Sequence, residues 1–220
     1  MMKTVYAIHT GPVLVDVLRK LFPEMIPEVR LVNVVDDGLL SDVRAAGRLT
    51  SAVSRRIIGY GLIAASSGAD AIFNCCSSVG EAADTLASVV DIPVVKIDDR
   101  MASRAVELGR RIGVMATVAT TLNPTERLIN RKAAEYGREV HTTRYLADSA
   151  FDALLAGDGE RHDLLVRATV EQAMDENDVV VFAQGSMARL IPIMQDHSSV
   201  PVLSSPRFGI EALREKLGLA

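Results

Sequence analysis

The chain has 220 residues, 49% hydrophobic and 24% charged, proportions that exclude a disordered or fibrous protein and give room for one large core or two small ones. With 24 basic against 28 acidic residues the formal charge is −4; no basic excess is available for a phosphate backbone, so nucleic acid is excluded as a general partner and small-molecule work is favoured. A mean hydropathy of +0.21 is high, but uncharged stretches such as residues 57–69 fall short of a membrane span, so the apolar excess is expected in a core, with no membrane partner. The first dozen residues carry no apolar run of signal-peptide length, and a cytoplasmic location is expected.

In chain order, short β-rich apolar runs alternate with longer helical patterns. The pattern predicts strands at residues 4–9, 29–35, 71–75, 94–97, 112–117, 140–145, 179–183 and 200–203. Helices are predicted between them at 13–22, 41–67, 79–89, 103–110, 121–136, 162–176, 187–197 and 208–217. Such alternation is the signature of an α/β protein with parallel sheets flanked by helices. Most of the strands are apolar on both faces, which predicts central rather than edge positions.

An internal repeat divides the chain. Residues 69–78, with Ile92-Pro93-Val94-Val95 following, lie over residues 177–186 and 200–203 without a gap. Asp70 meets Asp178, Cys76 meets Gln184 and Pro93 meets Pro201, each pair 108 residues apart, and Thr10 meets Thr117 at the end of the opening strand of each half. Two like α/β halves follow, residues 1–98 and 99–206, with a C-terminal helix over 207–220 packing back onto the first. Ligands of such sheets sit beyond the carboxyl ends of the strands, so 75–78 and 184–187 are expected on one cleft.

The two cysteines, Cys75 and Cys76, are adjacent. A bridge between neighbours would strain the intervening peptide, and two ligands are too few for a closed zinc site. That leaves a reactive thiol or a packed one. A thiol at a strand-to-helix turn faces unpaired backbone N–H groups and the positive end of the helix dipole, from which a lowered pKa is expected.

Phe73-Asn74-Cys75-Cys76-Ser77-Ser78 and Val181-Phe182-Ala183-Gln184-Gly185-Ser186-Met187-Ala188, placed symmetrically in the two halves, resemble the motifs of the aspartate/glutamate/hydantoin racemase superfamily. The resemblance spans essentially the whole chain. It implies two pseudo-symmetric Rossmann-like, flavodoxin-like halves and a cofactor-independent isomerase acting on a small carboxylate-bearing carbon acid of the amino acid, hydantoin or dicarboxylate type. It also implies a cysteine delivered by the strand-to-helix turn of each half. Cys76 matches the first of these positions and Cys75 lies beside it at the strand end. Residue 184, the second position, is Gln184. An amide neither removes nor returns a proton, which disfavours two-base racemisation, but it can donate to a carboxylate or an enolate oxygen. The chain reads as a divergent member with only the first cysteine.

Catalytic candidates are therefore Cys76, Gln184 and His9, the last at the end of the first strand and able to titrate near neutrality. Substrate-binding candidates are Thr10, Ser77, Ser78, Thr117, Gly185 and Ser186, whose hydroxyls and amides suit a carboxylate; for the hydroxyls, helix capping is the competing role. Asp36, Asp37, Asp98 and Asp99 at strand ends, Arg207, and His141, His162 and His197 are weaker candidates, and Met187 and Met194 read as core. No glycine-rich phosphate signature or metal-ligand cluster stands out, so no cofactor and no metal are expected. Decarboxylation or lysis of a related acid from the same cleft, and a non-catalytic module that binds a small acid, are the alternatives. The frequency of symmetric oligomers leaves a homo-oligomer open.

Overall fold

A computed structural model describes residues 2–195 and 199–219; His197 lies outside the described residues. The chain forms two compact units, Met1–Arg100 with Pro206–Ala220, and Met101–Ser205.

The first unit contains a parallel sheet of β1 (Lys3–His9), β2 (Val29–Val35), β3 (Ala71–Asn74) and β4 (Val94–Lys96) in the order β2-β1-β3-β4. Side chains alternate across a strand. Val5 and Ala7 of β1 pack with Phe22, Phe73 and Leu213, whereas Ile8 packs with Leu39, Ile57, Ile72 and Leu86 on the other face. One face is covered by α1 (Val15–Met25) and α10 (Ser205–Lys216), the other by α2 (Gly38–Ala46), α3 (Ser51–Ser66) and α4 (Gly80–Ala87). Helix α10 approaches closely because residue 209 is glycine: a Cβ there would lie 2.7 Å from Phe73 Cζ and 2.9 Å from the carbonyl oxygen of Ile97.

The second unit repeats the plan with β5 (Arg111–Ala116), β6 (His141–Leu146), β7 (Val179–Phe182) and β8 (Val202–Ser204) in the order β6-β5-β7-β8. Its helices are α5 (Asp99–Leu108), α6 (Leu122–Glu135), α7 (Ala150–Leu155), α8 (Gly159–Glu176) and α9 (Ile191–Gln195). The repeat read from the sequence is present bond by bond. Asp70 and Asp178 donate their backbone N–H to Thr4 O and Arg111 O, both at 2.8 Å, and Cys75 and Ala183 donate to Ile8 O and Met115 O at 3.0 and 2.8 Å. Val5 stands opposite Ala71 as Ile112 stands opposite Val179.

Three sequence expectations are corrected. Half of the described strands are edges, not a minority; β4 and β8 are three residues long, β2 is largely half-buried despite its apolar letters, and β6 buries only Tyr145. The helix expected at 41–67 is two helices. Gly47 takes the left-handed conformation (φ 65°) that ends α2, and Thr50 begins α3 by accepting the N–H of Val53 at 3.3 Å. The short α7 was not foreseen: at six residues it shows less than two turns of periodicity.

Candidate active site

In the first unit the chain leaves the sheet after β3 and turns into α4 through a short 3-10 turn, Ser77–Val79, for which Cys76 is the last extended residue (φ −146°, ψ 124°). Cys75 is buried and its thiol lies 3.5 Å from the Phe73 carbonyl, packed as a small apolar group; Cys76 is half-buried. The Thr10 hydroxyl and both the N–H and the hydroxyl of Ser78 donate to the Cys76 sulfur. Asn74 Nδ2 donates to the Cys76 carbonyl at 2.9 Å and braces the turn from beneath. The Ser77 hydroxyl donates to the carboxyl of Asp98, which is 3% exposed and acts electrostatically on the thiol. Thus Thr10, Cys76, Ser77, Ser78 and Asp98 come together within one unit.

The electrostatics reverse one expectation. Burial pushes the Cys76 thiol up from its ordinary value, the donors from Thr10 and Ser78 work against that, and Asp98 adds to the rise. Desolvation outweighs the turn's N–H groups, so the resting group is a neutral thiol. Burial likewise raises Asp98, opposed by Ser77 and the charge of Lys96. Lys96 is itself paired with Asp84 at 2.7 Å.

His9 is 1% exposed and engages Asn33 through Nε2 at 2.8 Å; burial lowers its pKa against that bond. The groups that act on the thiol are Thr10, Ser78 and Asp98. Asn74 was not among the sequence candidates, although a polar residue closing the otherwise apolar strand Ala71–Asn74 was a signal, and Asp98 ranked only with three other strand-end acids. Of those, Asp36 is tied to Arg56 and Tyr60 and accepts from Gly38 N, whereas Asp37 and Asp99 stand at the starts of α2 and α5. Three buried atoms of this unit, His9 Nδ1, Asn74 Oδ1 and Asp98 Oδ1, have no partner among the described residues.

In the second unit Gln184 occupies the matching backbone position (φ −138°, ψ 128°) before a 3-10 segment, Gly185–Leu190. Its Oε1 accepts from Thr117 N at 2.7 Å, Val118 N at 3.0 Å and Thr117 Oγ1 at 3.2 Å, and its Nε2 donates to Thr117 Oγ1 at 3.0 Å. The amide expected to meet a ligand is thus committed to its own half, beside Thr117. Gly185 is buried and Ser186 half-buried in the same turn, and Met187 and Met194 lie in the core as expected.

The weaker candidates have other partners or positions. Arg207 pairs with Glu24 at 2.9 Å, His141 is exposed at the start of β6, and His162 is fully buried with Nδ1 2.8 Å from Asp163. Among the described residues no group of three or more His, Cys, Asp or Glu could hold a metal ion, and no helix is long and apolar enough to cross a membrane.

The family model of Asp/Glu/hydantoin racemases matches residues 12–213. The chain belongs to the Asp/Glu/hydantoin racemase family. Its fold is that of several solved racemases. Aspartate racemase of Picrophilus torridus aligns at a TM-score of 0.75 with 18% identity, over 98% of this chain and 94% of that one. Glutamate racemase of Francisella tularensis, solved with D-glutamate, gives 0.74 and 14% over 99% and 81%. Allantoin racemase of Klebsiella pneumoniae gives 0.71 and 15% over 99% and 89%. No curated protein matches by sequence. Family membership supports an enzyme of the isomerase type.

Proposed function

We propose that this racemase-family chain is a cofactor-independent enzyme that acts on a small carboxylate-bearing carbon acid with one thiol, Cys76. The observation that carries the reading is the set of donors around that sulfur, from Thr10 and Ser78. Hydrogen bonds to sulfur stabilise the thiolate more than the thiol, so they lower the cost of releasing the proton without making the thiolate the resting state. Cys76 then exchanges one proton with the substrate carbon at a single face. The substrate's carboxylate is held at the Ser77–Ser78 turn beside the sulfur, and Asp98, whose own pKa is raised by burial, disfavours ionisation of the thiol until a proton is called for.

A second reading from the same residues is decarboxylation or lysis. It is favoured by the neutral thiol and by the engagement of Gln184, both of which suit protonation at one face after a bond has broken. Electrons of the broken bond would pass to the substrate's carbanion or enolate, the Cys76 S–H would supply the proton, and water would restore it.

Turnover in deuterated water separates the two readings. Exchange of the α-hydrogen without loss of a fragment supports the isomerase type, and release of carbon dioxide or another fragment supports the second. Thermal stabilisation by small acids with neither result marks a binding module. Full turnover by Cys76→Ser would overturn both enzymatic readings.

A further inference from the structure

In the second unit three donors converge on one oxygen: two consecutive backbone N–H groups, from Thr117 and Val118 at the end of β5, and the Thr117 hydroxyl, all directed at Gln184 Oε1 within 3.2 Å. Converging N–H groups of this kind suit an anionic oxygen. The oxygen present is a neutral carbonyl that mimics one oxygen of a carboxylate, and the remaining amide nitrogen is anchored on Thr117 Oγ1 at 3.0 Å, so both ends of the side chain are held. In the first unit the corresponding threonine, Thr10, directs its hydroxyl to the sulfur of Cys76.

We propose that Gln184 is a specificity-determining residue: its carboxamide closes the Thr117–Val118 donor cluster to carboxylates and leaves the first half to recognise the substrate's carboxylate. The proposal rests on the reading that the substrate is a carboxylic acid. A ligand oxygen can enter the cluster only by displacing the carbonyl, which strands the amide and forfeits an intramolecular contact. Substrates with a second carboxylate therefore gain no anchor in this half, and those with a single carboxylate are not disadvantaged. Gln184 acts here by exclusion, and its inability to carry a proton is incidental to that role.

The test is the ¹H–¹⁵N spectrum of the full chain during titration with acetate. In the unaltered protein the Thr117 and Val118 amides are expected to stay in place. In Gln184→Ala they are expected to move saturably, with acetate affinity at those amides raised by at least about tenfold, the scale of one charge-assisted hydrogen bond. Movement of these two amides in the unaltered protein overturns the proposal, as does their failure to move in Gln184→Ala. Should the alanine variant not fold, Gln184→Glu decides. A carboxylate in the cluster is expected to titrate below the ordinary glutamate range, and titration at or above that range overturns the proposal. Failure of the functional reading would show elsewhere, as a Cys76→Ser variant with full turnover, and would leave these amide shifts unchanged.

Discussion

At residues 76 and 184 the backbone takes nearly the same conformation, −146°/124° and −138°/128°, and each carbonyl accepts from the residue three further on, Val79 N and Met187 N, both at 3.3 Å. The side chains put these two turns to different ends. Cys76 presents a sulfur on which Thr10 and Ser78 converge, whereas Gln184 folds its amide onto Thr117 and Val118 and satisfies them from within. Beneath the turns the difference continues: Asn74 braces the Cys76 carbonyl, but its counterpart 108 residues on is Phe182, an apolar side chain in the core. One half gathers polar groups around a sulfur, and the other uses the same frame to hold its own amide.

The largest effect is expected at the thiol. Cys76→Ser is expected to lower turnover at least about a hundredfold, the scale of a lost acid–base group, whereas Cys75→Ser changes stability and not chemistry; steady-state rates on any accepted acid measure both. Asp98→Asn removes the charge that raises the thiol's pKa. Alkylation of Cys76 by iodoacetamide at fixed pH should therefore become severalfold faster, and an unchanged rate would detach Asp98 from the thiol. Asn74→Ala removes the brace and should cost about 1 kcal/mol in denaturant unfolding, through one buried hydrogen bond.

The smallest effect is expected where the two halves are most alike. Asp70 and Asp178 sit at matching strand starts; Asp70 accepts Thr4 N at 2.8 Å, and Asp178 accepts Arg110 N and Arg111 N at 3.0 and 2.9 Å together with the Arg111 guanidinium. Those bonds hold Asp178 at about 2, below the ordinary 3.8, and Asp70 is lowered in the same way by Thr4 N. A carboxyl depressed on folding adds stability above its unfolded pKa and loses it as pH falls through the folded value. Asp178→Asn should flatten the acid limb of a stability–pH curve between 3.8 and about 2, read by thermal unfolding, and Asp70→Asn should do so less.

Much of this was legible in the letters. The 108-residue offset located both turns, and the alternation of short β-rich runs with helical patterns located the eight strands of the described residues; which four are edges was not legible, because edge position depends on the strand order. Helix breaks were harder: Gly47 and Thr50 end and restart a helix within an apolar pattern that continues across them. The site was legible as residues and not as charges. Cys76, Thr10, Ser78, Thr117 and Gln184 were all named from sequence. The rise in the Cys76 pKa depends on how deeply the turn is buried, and the tie of Gln184 to Val118 on a separation of 66 residues, and neither is written locally.

The proposed function requires Cys76 to be a neutral, half-buried thiol that can exchange a proton while Cys75 serves as packing. The pH dependence of iodoacetamide alkylation at each cysteine in the full chain, resolved by peptide mass spectrometry, tests it most directly. Alkylation is expected at Cys76 with an apparent pKa above that of an ordinary thiol, and none at Cys75 while the protein stays folded. Reaction at Cys75 first, or a Cys76 profile with an apparent pKa below the ordinary value, would contradict it.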